Sequence, residues 1–480
     1  MTVTVTKNTL SYDGHSSLGE FRNDGAFAVI KADGSVVTWG NTTGGGDSSA
    51  VANQLNGTVD VTQIFSSFYA FAALRSDGSV VTWGDSNYGG NSSTVATLLD
   101  GTVDVTQIFS THYAFAALRT NGSVVTWGGS GGDSSAVAAQ LNGTIDVTQI
   151  FSTENAFAAL RTDGSVVTWG VGGYGGSSTA VATQLNGSVD VTQIFSTYGA
   201  FAALRTDGSV VTWGNIYAGG NSSTVATQLD GTVDVTQIAS TNDAFAALRT
   251  DGSVVTWGNI TDGGDSSAVA SDLNGTGDMT QIASTQAAFA ALRADGAVVT
   301  WGDSRFGGDS STVATQLNGT VDVTQIASTN SAFAALRADG SVVTWGYGLY
   351  GGSPSSTVAP QLNGVKQLFS TGYSFAALRT DGSVVTWGDS YNGGSTSKAV
   401  AAQLDGTVDV VTIYTTTRAF AALRTDGSII TWGNSDSSAV GNISSSTVAS
   451  QLTSGVVGAA NIGGNDIYLN HAPTGTVSIA

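Results

Sequence analysis

Cysteine is absent from this chain of 480 residues, and proline occurs only three times. The lack of cysteine excludes a small disulfide-stabilised scaffold, although it does not identify the compartment. Lysine and arginine number 16 against 36 aspartates and glutamates, which gives a formal net charge of −20. Such a surface repels phosphate backbones, and no stretch concentrates basic residues. We therefore expect no nucleic-acid partner.

Long apolar runs are missing as well. No stretch reaches the roughly 18 apolar residues that a membrane-spanning helix requires, so we expect no membrane span. Residues 1–12 alternate threonine and valine and lack the basic start and apolar centre of a conventional signal peptide. Charged residues make up only 11% of the chain, yet β-branched and aromatic residues recur too regularly for a disordered protein.

What the chain does contain is a repeat marked by tryptophan. The gaps between successive tryptophans are 44 residues in six cases, 42 in two and 45 in the last. A fixed period of this length indicates one supersecondary unit copied about ten times, which leaves few places for a unique catalytic centre. The ten tryptophans are Trp39, Trp83, Trp127, Trp169, Trp213, Trp257, Trp301, Trp345, Trp387 and Trp432.

One unit, residues 57–100, shows what is repeated. Residues 59–65 (VDVTQIF) and 70–75 (AFAALR) are rich in the β-branched, aromatic and alternating residues of strands, and 79–83 (SVVTW) follow them. The pair Asp77-Gly78 lies between the last two runs and predicts a hairpin with a type I′ turn. Residues 93–98 are apolar at alternate positions and predict a short fourth strand.

A sheet of three or four short strands cannot bury both of its faces alone. Neighbouring units must therefore stack on it, and radial stacking of such sheets gives a β-propeller. The small residues of AFAALR favour close packing of sheets, and the single tryptophan of each unit would fill the wider space between them.

These residues carry a family resemblance. The unit AFAALRSDGSVVTWGDSNYGG (residues 70–90), preceded by VDVTQIFS, resembles the repeat of the regulator of chromosome condensation family, and its bacterial form in a propeller-shaped β-lactamase inhibitor. The resemblance covers residues 18–452 and implies an all-β, propeller-like array of about ten four-stranded blades. Since family propellers have seven blades, the array could form an oversized ring, an open superhelix, or seven closed blades with three spare.

The two ends differ from the repeats. We predict an N-terminal strand or cap over residues 1–17, the ten-repeat array over 18–455, and a degenerate partial repeat that caps the array over 456–469. Residues 470–480 (NHAPTGTVSIA) resemble the start of a cadherin-like segment of bacterial surface proteins, which implies that the chain is cut from a longer exported polypeptide.

Residues suited to catalysis are few. His15, His112 and His471 share no spacing that would bind a metal or form a triad, and no serine lies in a nucleophile-elbow context. We therefore expect no enzymatic activity, no catalytic residue and no metal centre. Gly-Gly-Asp at Asp133, Asp265 and Asp309 resembles calcium-binding repeats, so bound calcium stays a minority alternative to no cofactor.

Two charged positions recur throughout the array. One is an aspartate at a position within the first predicted strand. Both an ion-binding ring and a structural turn role are open for it, and repetition favours the structural role. The other is an arginine, for which the same alternatives hold. The aspartates are Asp60, Asp104, Asp146, Asp190, Asp234, Asp278, Asp322 and Asp409, and the arginines are Arg75, Arg119, Arg161, Arg205, Arg249, Arg293, Arg337, Arg379 and Arg424.

Residues that differ between copies indicate where a ligand would bind. Two loops vary while the framework stays constant, namely the turn before AFAALR and the loop after Trp-Gly, which often carries an aromatic residue. Equivalent loops of all blades share one face of a propeller, and exposed aromatics there favour recognition, although neutral drift explains the variation equally well. The candidate ligand-binding residues are Phe68, Tyr69, Tyr88, His112, Tyr113, Glu154, Asn155, Tyr174, Tyr198, Tyr217, Asn242, Asp243, Phe306, Tyr350, Tyr373, Tyr391 and Arg418.

Three kinds of function fit these observations. The first is a non-enzymatic, extracellular binding or adhesion module of a bacterial surface or exported protein, with a protein or glycan ligand. The second is a structural spacer or a polymer-forming protein that assembles with itself. The third follows from the resemblance: a protein-binding propeller that inhibits an enzyme or resembles a nucleotide-exchange factor.

Overall fold

The computed structural model describes residue 23 and residues 26–30, 33–415, 418–426 and 428–433. The predicted segments at 1–17, 456–469 and 470–480 lie outside these residues, as do His15 and His471. Within the described part the protein is an array of ten small antiparallel sheets, of which the first has two strands and the others three. This confirms the all-β repeat architecture that the tryptophan spacing predicts. We number the sheets 1 to 10 in chain order.

In the nine three-stranded sheets, the first strand is the VTQIFS run or its local variant. It contains a β-bulge after its first residue, where the register with the second strand shifts, as between Val61 and Gln63. In sheets 2 to 10 this strand spans Val61–Ser66, Val105–Ser110, Val147–Ser152, Val191–Ser196, Val235–Ser240, Met279–Ser284, Val323–Ser328, Val365–Ser370 and Val410–Thr415.

The second strand is the AFAALR run and lies in the middle of each three-stranded sheet. In sheets 1 to 10 it spans Ala26–Ile30, Ala70–Arg75, Ala114–Arg119, Ala156–Arg161, Ala200–Arg205, Ala244–Arg249, Ala288–Arg293, Ala332–Arg337, Ser374–Arg379 and Ala419–Arg424.

The third strand carries the tryptophan, which lies opposite the phenylalanine of the second strand, as Trp83 lies opposite Phe71. In sheets 1 to 10 it spans Val36–Gly40, Val80–Gly84, Val124–Gly128, Val166–Gly170, Val210–Gly214, Val254–Gly258, Val298–Gly302, Val342–Gly346, Val384–Gly388 and Ile429–Gly433.

The hairpin at Asp77-Gly78 forms where predicted, but its turn is not type I′. The amide of Gly78 donates to the carbonyl oxygen of Arg75, at 3.0 Å, and Gly78 alone has a positive φ, +75°. This is a three-residue loop, a type I turn followed by a left-handed glycine. The Asp77 carboxylate accepts from the amide of Ser79, which stabilises φ below zero at the aspartate.

The predicted fourth strand over residues 93–98 is wrong, because Ser93–Leu98 is a 3-10 helix. The amide of Val95 donates to Ser92 and that of Leu99 to Ala96, and Leu99 is buried. Val95 and Leu99 are therefore the two apolar anchors, and their spacing fits a helical turn. The resemblance implied four-stranded blades; the fourth strand is reduced to an isolated bridge in four units, for example between Ser165 and Asn186.

Short helices follow the sheets and fall into two sets. The first set comes directly after Trp-Gly: the 3-10 helices Ser86–Tyr88, Gly172–Tyr174, Ile216–Ala218, Ser304–Phe306, Gly348–Tyr350 and Ser390–Asn392, and the π-helices Thr42–Gly46 and Ile260–Gly264. The second set leads to the next unit: the 3-10 helices Ser49–Gln54, Ser93–Leu98, Ser135–Gln140, Thr179–Gln184, Ser223–Gln228, Ser267–Val269, Ser311–Gln316 and Ala359–Gln361, and the α-helix Lys398–Ala401.

The core consists of layers between consecutive sheets. Phe71, Ala73 and Trp83 of sheet 2 pack on sheet 1, whereas Ala72 and Leu74 pack on Phe115 and Trp127 of sheet 3. The alternation along AFAALR therefore places one side of the strand against each neighbour, as predicted. Nine apolar clusters join the ten sheets in chain order, and none of these clusters joins sheet 1 to sheet 7 or to sheet 10. In the described residues the arrangement is a linear array.

Candidate functional site

A ladder of backbone hydrogen bonds aligns the variable turns of consecutive sheets. The amide of Phe68 donates to the carbonyl oxygen of His112 at 3.2 Å, that of His112 to Glu154 at 3.0 Å, and that of Glu154 to Tyr198 at 3.1 Å. The series continues with distances of 2.8–3.0 Å. We call these eight residues the turn row: Phe68, His112, Glu154, Tyr198, Asn242, Gln286, Asn330 and Gly372.

The ladder fixes the distance between neighbouring side chains of the turn row. Backbones joined by such hydrogen bonds lie about 5 Å apart. Consecutive residues of the turn row are therefore neighbours along the surface. The predicted variable turns accordingly lie in one continuous row.

In sheet 2 and in sheets 4 to 9, a serine or threonine at the start of the turn joins the loop after Trp-Gly to the same surface. The Ser67 hydroxyl donates to the carbonyl oxygen of Tyr88 at 2.6 Å, and the Thr153 hydroxyl to that of Tyr174 at 2.7 Å. The Thr111 hydroxyl accepts from the amide of Ala114 at 3.0 Å, which closes the turn. Turn and loop of one unit are thus held side by side.

Five rings form what we call the aromatic cluster at sheets 2 and 3. Phe68 stacks on His112 with ring centroids 4.0 Å apart, and Tyr88 lies 4.9 Å from Tyr69 and 4.9 Å from Tyr113. All five side chains are half-buried, so each exposes part of its surface. Because Tyr88 lies between the turns of two consecutive sheets, the cluster is a single aromatic surface across the junction.

Glu154 continues the turn row beside this cluster and is only 8% exposed. Its Oε2 accepts from the side-chain amide of Asn155 at 2.9 Å, and its Oε1 lies 3.6 Å from Nδ1 of His112. Tyr198 also shares a hydrogen bond with this carboxylate, and burial together with that bond raises the pKa of Tyr198 above its usual value. A buried carboxylate with polar partners on both sides gives the row a defined acceptor next to the aromatic cluster.

Two carboxyl groups meet further along, at sheet 6. Burial is the main cause that raises the pKa of Asp243 to about 6, and the charge of Asp262 and a hydrogen bond with it add to the effect. Burial also raises the pKa of Asp262. The two groups therefore share a proton at mildly acidic pH. Asn242 beside them has a buried Oδ1 without a hydrogen-bond partner.

The remaining predicted residues differ in whether they join this surface. Tyr174 approaches Tyr198, with centroids 5.8 Å apart, and Tyr350 lies 4.9 Å from Tyr373, so these four join the surface. Phe306 is half-buried beneath Arg305, and Arg418 is half-buried in the turn of sheet 10. Tyr217 and Tyr391 stand one residue earlier in their loops than Tyr88 and are 75% and 76% exposed.

The recurrent charged residues have structural partners. Nε of Arg75 donates to the Ser79 hydroxyl at 2.7 Å, and its guanidinium lies 3.4 Å from Asp77 of the same turn. The carbonyl oxygen of Asp60 accepts from the amide of Ser76. The contacts of Arg75 are those of a hairpin end, as the structural reading of the arginine series predicts, whereas the bond at Asp60 is made by its backbone and not by its carboxylate.

The Gly-Gly-Asp sites also have local roles. Asp133, Asp265 and Asp309 each accept from the backbone amide two residues ahead, at 2.9 Å. Among the described residues no group of three or more His, Cys, Asp or Glu could hold a metal ion. No helix in this part of the chain is long and apolar enough to cross a membrane.

The sequence reasoning missed Asp262. The loop after Trp-Gly is marked in the sequence by its aromatic residues, whereas Asp262 stands five residues after Trp257, as Tyr88 stands five residues after Trp83. Counting from tryptophan would have paired Asp262 with Asp243. Gln286, Asn330 and Gly372 are not among the candidate ligand-binding residues predicted from the sequence, and the ladder shows that they belong to the same row.

Comparison with known proteins gives one match at the level of the repeat. Residues 61–89 match the model of the Regulator of chromosome condensation (RCC1) repeat. No curated protein shows a significant match to the chain.

Solved structures show only distant likeness. The ectodomain of the Physcomitrella patens receptor kinase CR4 is 17% identical over 58% of this chain and 70% of its own, with a TM-score of 0.33. Prp20p from Saccharomyces cerevisiae is 16% identical over 60% and 83%, with a TM-score of 0.33. Human WBSCR16 is 17% identical over 58% and 85%, with a TM-score of 0.34. The family resemblance is confirmed at the level of the repeat: residues 61–89 carry a regulator of chromosome condensation repeat.

Proposed function

We propose that this protein is a non-enzymatic binding module whose protein ligand lies along the turn row. The observation that carries this proposal is the backbone ladder, which brings the most variable residues of eight sheets into one line while the framework stays constant. Selection for recognition would act on such residues, since changing them leaves the layers between the sheets intact.

The side chains of the turn row suit recognition of a protein. The aromatic cluster offers large, partly exposed rings of the kind that dominate binding energy, and Glu154 offers a fixed acceptor beside them. The rings are held by packing on both sides, so little conformational entropy is lost when a ligand covers them.

A matched pair of double variants tests this proposal. Tyr88→Ala with Tyr113→Ala removes two rings of the aromatic cluster, whereas Tyr217→Ala with Tyr391→Ala removes two rings that lie outside it. Both are screened with the parent protein on protein and glycan arrays and on intact cells. We expect the first pair to abolish the interaction and the second pair to retain it. Equal effects of both pairs, or no ligand for the parent, would refute the proposal.

We further propose that the module acts outside a bacterial cell, as an adhesion region of a surface or exported protein. The cysteine-free, acidic repeats and the resemblance of residues 470–480 to surface-protein segments support this location. Brief protease treatment of intact producing cells should remove the protein while a cytosolic marker survives. Survival of both would place the protein inside the cell.

A further inference from the structure

A groove of about 900 Å³ runs between the loops that follow sheet 6 and the outer edge of sheet 7. Its wall on the side of sheet 6 includes Ile260 and Val269, and on the side of sheet 7 it includes Val298 and Leu317. The groove follows the third strand, whereas the turn row lies between the first and second strands. It is therefore a second surface, which meets the turn-row surface at the loop Ile260–Gly264, where Ile260 faces the groove and Asp262 lies beside the turn.

The residues around this groove depart from the repeat at three positions. Ala297 stands where every other unit has serine, Gly277 where the corresponding loops have valine or isoleucine, and Asp272 where most have glutamine. The alanine and the glycine are smaller than the residues they replace. The repeat is thus altered three times at one junction, and two of these changes remove side-chain volume.

Arg293 takes a different position because of these changes. A Cβ atom at Gly277 would lie 2.8 Å from Nε of Arg293, so the guanidinium occupies the space of the missing side chain. Its Nε is buried without an acceptor, whereas Nε of Arg337 in the next sheet donates to Ser341 at 2.8 Å. The guanidinium pairs with Asp295 at 2.9 Å and approaches Asp272 at 4.0 Å. The charge of Arg293 is therefore already balanced within the groove.

The charge that remains in the groove is negative. Asp265 and Asp309 occupy the same position in consecutive units, and both line the groove with exposed carboxylates. No other two consecutive units of the array carry aspartate at this position. Hydrogen bonds from the amides of Ser267 and Ser311 hold the pKa of both carboxyls below the usual value, so both are ionised at neutral pH.

An exposed apolar side chain stands at the groove. Ile260 is 71% exposed, in a loop position where most units carry small or polar residues. The charge of −20 on the whole chain disfavours a second copy as the occupant, because two acidic surfaces would repel each other.

We propose that this groove binds a partner protein through a segment that carries lysine or arginine beside an apolar side chain. The cationic groups pair with Asp265 and Asp309, and the apolar side chain packs on Ile260 and Val269. Charge complementarity selects the basic segment, because Asp265 and Asp309 remain ionised and exposed while Arg293 is already paired within the groove.

Natural variation within the array supplies matched controls. Asn91 accepts from the amide of Ser93 at 3.0 Å as Asp265 accepts from that of Ser267, so asparagine preserves the turn and removes only the charge. The test variant is Asp265→Asn with Asp309→Asn, and its control is Asp47→Asn with Asp133→Asn in other units. Ile260→Ser has Ile216→Ser as its control, because Ile216 stands in the same loop position and is 60% exposed.

The experiment measures fluorescence anisotropy of a labelled synthetic peptide in which lysine alternates with leucine, at physiological ionic strength. We expect the groove variants to bind about tenfold more weakly, while both controls bind like the parent and a peptide with glutamate in place of lysine does not bind. Equal losses in the controls would mean general attraction to an acidic surface and would overturn the proposal. So would an absence of binding, or a dimer of the parent in gel filtration that Ile260→Ser dissociates, since the groove would then hold a second copy.

Discussion

The indole nitrogen of Trp127 donates a hydrogen bond to the carbonyl oxygen of Gly89, 3.0 Å away in the loop that follows the preceding sheet. The same bond joins Trp83 to Gly45 and Trp213 to Gly175. In sheets 2 to 10 the tryptophan therefore connects its sheet to the unit before it, in addition to stacking on the phenylalanine of its own sheet. Trp169 is the exception: its Nε1 is buried without a partner.

The exception allows the contribution of this bond to be measured. Trp127→Phe removes the bond and part of the ring, whereas Trp169→Phe removes only the ring volume. We expect Trp127→Phe to lower the free energy of unfolding by about 1 kcal/mol more than Trp169→Phe does, because a buried hydrogen bond contributes about that much. Urea titrations of both variants check this. Equal losses would show that the bond contributes nothing beyond packing.

A shorter loop explains why Trp169 lacks its partner. Three residues lie between Trp127 and Gly131, against five between Trp83 and Gly89, and Gly131 lies next to Asn155 instead of Phe157. Insertion of Asn-Tyr after Ser130 restores the common loop length. We expect the insertion to stabilise the protein by about 1 kcal/mol through the recovered bond. Differential scanning calorimetry measures the change, and the Trp169→Phe background, which cannot form the bond, should abolish the gain.

Arg293 gives a test of the altered junction. Ala297→Ser returns the hydroxyl that accepts from the arginine in other sheets, so we expect a gain of about 1 kcal/mol in unfolding free energy. Ser341→Ala makes the opposite change in sheet 8, where Arg337 donates to that hydroxyl at 2.8 Å, and should lose a similar amount. Chemical denaturation of the two variants measures both the expected gain and the expected loss in unfolding free energy. A loss in Ala297→Ser would mean that Arg293 cannot leave the place it has taken beside Gly277.

The sequence was sufficient to predict the repeat and its layers. The tryptophan spacing and the alternation along AFAALR predicted ten stacked units, because side chains at positions 71 and 73 must face one neighbour and those at 72 and 74 the other. It was insufficient for residues 93–98, where small polar residues and two apolar anchors fit either a strand or a helical turn. The pair Asp77-Gly78 also gave the wrong turn type, because Asp-Gly is compatible with more than one hairpin turn.

The candidate site could be predicted only in part, because its residues are brought together by contacts between units. Comparison between copies identified the variable positions such as His112 and Glu154, but a sequence does not show which variable residues touch. The ladder depends on backbone contacts between units, which no local pattern encodes. The proximity of Asp243 and Asp262 depends on the hydroxyl of Thr241, which donates to the carbonyl oxygen of Asp262 at 2.9 Å and so brings the loop to the turn.

The Asp243–Asp262 pair predicts how stability depends on pH. The pKa of Asp243 is about 6 in the folded protein against an ordinary value of 3.8, so the folded state binds the proton more tightly than the unfolded state. The resulting stabilisation is fully present below pH 3.8 and is lost as the pH rises through about 6. Since Asp243 is only half-buried and solvent screens the pair, we expect a loss of about 1 kcal/mol.

Asp243→Asn should remove this part of the pH dependence, because the amide stays neutral throughout. We expect the variant to be more stable than the parent at pH 7 and to approach it at pH 4, in urea titrations at a series of pH values. Asp100→Asn is the control. Hydrogen bonds from Thr102 lower the pKa of Asp100, so we expect the loss of this carboxylate to make the variant less stable than the parent at pH 7. If the parent and Asp243→Asn differed by the same amount at pH 4 and pH 7, the two carboxyl groups would not share a proton. The charge of Asp262 would then have to be balanced by Arg305, which lies near enough to lower its pKa.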